Sequence, residues 1–193
     1  MADPASHRTS LPGHFAIALA FGIGGAVALA AAGWSKISMQ SHAARQPHPA
    51  WAEMPWPFPM DQWGKGKAYR CTAANCGTEV RVYLRAKIGF CNCTAGVAHD
   101  EDLARLSDLT LLGGEAEPLG GGRPIAVGWM DGRARPYQIG SATAVSTAFH
   151  HECDALVATA VYNRAPHADV ELAMVGFLNS QTVLDWARIE LGL

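Results

Sequence analysis

Four of the five cysteines, Cys71, Cys76, Cys91 and Cys93, fall within one stretch, CTAANCGTEVRVYLRAKIGFCNC. A C-x4-C followed by a C-x-C admits three chemistries. Four thiolates satisfy tetrahedral zinc, and the Cys76-Gly77 pair suits a tight ligand turn, but structural zinc sites favour two intervening residues in at least one pair. On an extended strand Cys91 and Cys93 point to one face, where two sulfurs suit a single Cu(I) ion or thiol-redox chemistry. A bond between those two is disfavoured, because their Cα atoms would lie near the upper limit for a disulfide. The third chemistry is a staple: two disulfides joining the 71/76 loop to the 91/93 segment, each contributing roughly 3 kcal/mol in the chain-entropy account. The staple is the expectation adopted, with Cys71, Cys76, Cys91 and Cys93 as disulfide candidates.

Cys153 makes the count odd. It lies in HHECD, residues 150–154, where adjacent histidines on a strand point to opposite faces and do not share one ion. A metal site built from this chain would draw on Cys71, Cys76, Cys91, Cys93, His150 and Cys153, with Glu152 beside them and zinc or copper as the ion. No cofactor is otherwise expected. The sequence carries no G-x-S-x-G elbow, P-loop or H-E-x-x-H motif, so it offers no recognisable catalytic constellation.

Charged residues make up only 17% of the chain and the net charge is -2, which leaves no positive field to gather phosphate backbone. Nucleic acid is therefore not an expected partner. The run from Phe15 to Gly33 contains no charged residue. As a helix rising ~1.5 Å per residue it spans roughly 28 Å, close to the hydrocarbon thickness of a bilayer. Residues 15–34 are expected to form a single transmembrane helix after a polar tail, 1–14. A cleaved signal peptide, with small residues at Ala28–Ala32, is the competing expectation. Gly22, Ala26 and Ala30 recur every four residues, as on close-packed membrane helix faces, and would meet a partner helix.

Residues 35–66 hold prolines at 47, 49, 55, 57 and 59 and tryptophans at 51, 56 and 63. They read as an extended linker whose tryptophans pack on the domain that follows. That domain, 67–193, reads as α+β: an antiparallel sheet followed by C-terminal helices. EVRVYLRAKIGF alternates Val80, Val82, Leu84, Ala86 and Ile88 with Arg81, Tyr83, Arg85 and Lys87, a half-buried strand whose basic residues face solvent or a partner. HDEDLARLSDL spaces Leu103, Leu106 and Leu109 as a helix does. RPIAVGWMDGRARPYQIG reads as two strands turning at Asp131-Gly132, and CDALVATAVYN as an interior strand. ADVELAMVGFLNSQTVLDWARIELG reads as two helices, with Asn179 or Ser180 capping the second.

Paired cysteines persist in oxidising compartments. The sequence thus points to a single-pass protein of the inner membrane with an exported, disulfide-stabilised domain, acting as an accessory or interaction subunit. The alternative is a membrane-tethered soft-metal or thiol-redox protein using the cysteine cluster.

Overall fold

In the computed structural model, which describes residues 49–89, 94–163 and 168–193, the strand VRVYLRAK is β3 (Val80–Lys87). It lies inside an eight-stranded antiparallel sheet with β1 (Trp51–Met54), β2 (Lys67–Cys71), β4 (Ala116–Pro118), β5 (Arg123–Val127), β6 (Met130–Ile139), β7 (Ala142–His151) and β8 (Asp154–Tyr162). The order is β1-β2-β3-β8-β7-β6-β4, with β5 also paired to β6. Four helices complete the described fold: α1 (Ala73–Cys76), α2 (Asp100–Leu106), α3 (Ala168–Leu178) and α4 (Gln181–Leu191). A 3-10 turn, Leu109–Leu112, follows α2. The described residues all fall within one compact unit, Ala43–Leu193. Residues 15–34, with Gly22, Ala26 and Ala30, lie outside the described residues. Among the described residues no helix is long and apolar enough to cross a membrane.

The unbroken apolar run of β8 explains its place. It pairs with β3 on one edge and β7 on the other, and apolar clusters cover both of its faces, Leu156, Ala158 and Ala160 on one and Ala155 and Val157 on the other. One face of the sheet carries Val82, Leu84, Leu156, Ala158 and Phe149 against Phe177, Leu178, Val183 and Trp186 of α3 and α4. On the other, Leu103 and Leu106 of α2 with Val97 cover Ala148, Ala155 and Val157. Leu109 packs beside these against Tyr137, Ile139 and Ala144.

Several local expectations are revised. β3 is buried on both faces: Arg85 is 2% exposed and Lys87 4%, while Arg81 alone of the three basic residues reaches solvent. The β5–β6 turn sits at Gly128-Trp129, and Asp131 and Gly132 belong to β6, paired with Ala126 and Ile125. Gly132 is required for closeness and not for a turn, because a Cβ there would lie 2.1 Å from the Ala148 carbonyl oxygen of β7. Gly128, at φ +59°, provides the left-handed residue that the turn needs. β7 escaped the sequence reading. Trp51–Met54, within the stretch read as linker, forms the edge strand, with Trp51 opposite Cys71.

Ser180 is the α4 N-cap but makes no side-chain capping bond. Asn179 is committed elsewhere: its Oδ1 accepts from the Gly128 N–H at 2.8 Å, and its Nδ2 donates to the Val175 carbonyl at 3.0 Å. The α3–α4 corner is thereby tied to the β5–β6 turn. The tryptophans pack on the domain, Trp51 stacked on Phe177 at 4.4 Å and Trp56 edge-on to Tyr83 at 6.1 Å.

Candidate functional site

Cys71 ends β2 and Cys76 ends α1, one helical turn later, and the two sulfurs are bonded to each other with Cα atoms 6.0 Å apart. The bridge therefore closes the 71/76 loop on itself and does not join it to the 91/93 segment. The reason is the length of β3. Eight residues at ~3.3 Å each carry the chain more than 20 Å along the sheet before the second cysteine group begins. Cys91 and Cys93 lie outside the described residues.

Cys153 occupies the β7–β8 turn and is also disulfide-bonded. His150, at the end of β7, accepts a hydrogen bond at Nδ1 from the Val97 N–H at 3.3 Å. Its ring lies where a Cβ on Gly96 would be, so Gly96 is the residue that lets the 94–97 loop close over it. His150 is thus bound into the fold. Among the described residues no three His, Cys, Asp or Glu side chains are grouped to hold a metal ion. Cys71, Cys76 and Cys153, being oxidised, offer no thiolate in this state.

Cys76 lines an open groove of about 600 Å³. α1 forms one wall through Asn75, Cys76 and Gly77, and α3 forms the other through Leu172, Ala173, Gly176 and Phe177. Trp51, stacked on Phe177, forms the floor together with it. The spacing on α3 sets the surface: Leu172 and Gly176 stand four apart, as do Ala173 and Phe177, so all four share one side of the helix. Phe177 is buried against Tyr69, 4.9 Å between ring centroids, whereas Leu172 is 70% exposed. Nothing lies within 4 Å of where a Gly176 Cβ would be. The groove therefore combines an aromatic floor, an exposed leucine and open space at a glycine. Sequence reasoning missed it. The available signal was α3 itself, ADVELAMVGFL, which is apolar on more than one side and so exceeds what a single packed face requires.

The electrostatic centre lies on the opposite face of the sheet. Arg85 reaches Asp108 with two nitrogens, Nε to Oδ2 at 2.9 Å and Nη2 to Oδ1, and its Nη1 donates to Asp61 Oδ2 at 2.7 Å. Lys87 Nζ is 2.9 Å from Asp108 Oδ1 and donates to the Leu106 carbonyl at 2.6 Å. For Asp61, burial works to raise the pKa. The Arg85 hydrogen bond, the Trp63 N–H and the charges of Arg85 and Lys87 outweigh that and hold it below the ordinary value. Asp100 is likewise held low, first by the Gly122 N–H and then by Arg133. These pairs lock α2 and the 55–64 segment onto the sheet, and every carboxylate in them has a cationic partner. They form a clamp and leave no charged group poised for acid-base work.

No protein-family model and no curated protein matches the chain.

Proposed function

We propose that this is a membrane-anchored accessory protein whose exported, disulfide-stabilised domain docks an amphipathic helix of a partner subunit in the groove between α1 and α3. The observation that carries the reading is the groove: an apolar surface on α3 that its own domain leaves uncovered at Leu172 and Gly176. A glycine beside an exposed leucine lets a second helix approach closely while it buries the leucine. Helices bind in grooves by inserting apolar residues spaced by three and four.

Two further observations support the setting. The Phe15–Gly33 run is long enough to span a bilayer. All three described cysteines are oxidised, as expected in an oxidising compartment and not in a reducing cytosol.

The test is purification from membranes in mild detergent, comparing the wild type with Leu172→Glu. Because Leu172 is 70% exposed, the substitution should change stability by less than about 0.5 kcal/mol. The wild type is expected to bring down one partner polypeptide at fixed stoichiometry, and the variant to lose it. A wild type that migrates alone would overturn the reading, as would a variant that retains its partner or a groove found to hold a lipid acyl chain.

A further inference from the structure

The histidine pair that closes β7 takes no part in the docking groove or in the salt-bridge clamp. Residues two apart on a strand share a face, so His150 points the same way as Ala148, toward Val97, Leu103 and Leu106 and away from α3 and α4. There its Nδ1 accepts the Val97 N–H at 3.3 Å. A ring nitrogen that accepts carries no proton, which assigns the proton of the neutral imidazole to Nε2. Gly96, at φ +59°, sets the loop down against the other edge of the ring, where a Cβ would lie 1.9 Å from Nε2. Val97, 2% exposed, is thereby pressed onto Ala148, Ala155 and Val157. The chain that follows has separate fastenings: Arg133 Nη1 donates to the Ala98 carbonyl at 3.3 Å, and the His99 N–H donates to Asp102 Oδ2 at 3.0 Å.

We propose that His150 is a proton-operated latch for the 94–97 loop, closed while the ring is neutral and released when it is protonated. The second proton can go only to Nδ1. Two donors then face each other where a donor and an acceptor stood, and the Val97 N–H is left without a partner at a position almost closed to solvent. A buried N–H in that state is costly. Lifting the loop returns it to water and carries Val97 off the sheet, uncovering an apolar strip at Ala148, Ala155 and Val157. The latch therefore holds at higher pH and opens as pH falls. Charges on each neighbouring element bear on that proton. On β6, Asp131 stands opposite His150, and Arg133, bonded to Asp100 of α2, lies two residues on. On β8 the opposite residue, Ala155, is uncharged, and Lys87 of β3 lies one strand beyond it, held by Asp108. The turn adds Glu152 and Asp154, whose Oδ1 is taken by the Gly89 N–H, while His151 points to the opposite face. α2 and its cap add His99, Glu101 and Asp102, and residues 94–97 carry no charge.

The experiment is hydrogen exchange of the full-length protein in mild detergent, resolved to single amides and expressed as protection factors, so that the intrinsic effect of pH is removed. Between about pH 8 and about pH 5, the range over which histidines change charge, the Val97 amide should lose at least about tenfold in protection. Amides of β3 and β8 should hold theirs. In His150→Asn, whose Oδ1 can accept as Nδ1 does but does not titrate, Val97 should stay protected at both ends of the range. A wild-type Val97 amide with the same protection throughout overturns the inference, and so does a loss shared by β3 and β8, which would be general unfolding. A pH-dependent Val97 in His150→Asn also overturns it and moves the trigger to another group, such as His99. If the variant fails to fold, nitrogen NMR of the wild-type ring decides: Nδ1 must gain its proton over the same pH interval in which Val97 loses protection, and a ring that becomes doubly protonated under a protected Val97 refutes the latch.

Discussion

The two faces of the sheet are held by different physics. On the face under α3 and α4 the contacts are apolar and aromatic, Phe149, Leu156 and Leu178 being wholly buried together. On the face under α2 and the 55–64 segment, an arginine and a lysine less than 5% exposed are neutralised by Asp108 and Asp61. The first face is sensitive to volume and tolerant of exchange among apolar side chains of similar size. The second is the reverse, since a buried charge without its partner is costly whatever its shape. It follows that one face can leave an open apolar groove at its margin without harm, while the other must be satisfied group by group.

Three measurements test that contrast. The largest effect is expected for Asp108→Asn, which preserves shape and removes charge. Leaving Arg85 and Lys87 under-compensated should cost about 3–5 kcal/mol in urea unfolding. A loss below about 1 kcal/mol would place the cluster with ordinary surface pairs and abolish the distinction.

Next in size is the alkaline limb of stability. All four tyrosines have phenol pKa values raised by burial, two on each face, and Tyr162 is pushed up to about 12. A group whose pKa is raised on folding contributes stability that is complete below its unfolded value, here 10.0, and is lost as pH climbs through the folded one. For Tyr162 that loss between pH 10 and about 12 is roughly 2–3 kcal/mol. Phenolate absorbance should rise together with unfolding and not before it; tyrosines that ionise freely near pH 10 in the folded protein would contradict this. The smallest effect is expected for Met174→Leu on the apolar face, a swap that keeps volume and should cost under about 1.5 kcal/mol. A cost equal to that of Asp108→Asn would erase the contrast.

The apolar half of this architecture was legible in the sequence, and the charged half was not. Period two in VRVYLRAK identifies β3, and the continuous run in β8 marks an interior strand. Alternation cannot report whether the polar side is covered, however. The residues that cover Arg85 are Asp61 and Asp108, 24 residues before it and 23 after. No local window joins them. Asp131-Gly132 misled for a related reason: glycine serves tight turns and also close approach of backbones, and only the register with β7 reveals the second use.

The cysteines were read as two disulfides joining the 71/76 loop to the 91/93 segment, and instead Cys71 and Cys76 are bonded to each other within the loop. The pairing depended on how far β3 carries the chain, which spacing alone does not show. The groove was illegible because it is made by what α1 and α3 fail to cover, a property of two helices about 100 residues apart.

The far border of the sheet has its own consequence. Beyond β6 the edge is divided between β5, which pairs with its first half, and β4, which pairs with its last three residues. Each of these short strands contains a proline, Pro124 and Pro118, whose nitrogen has no hydrogen to donate. An incoming strand would meet two brief, interrupted ladders instead of one continuous template. The domain is thereby protected on that side against strand-by-strand aggregation, the recurrent hazard of open antiparallel sheets.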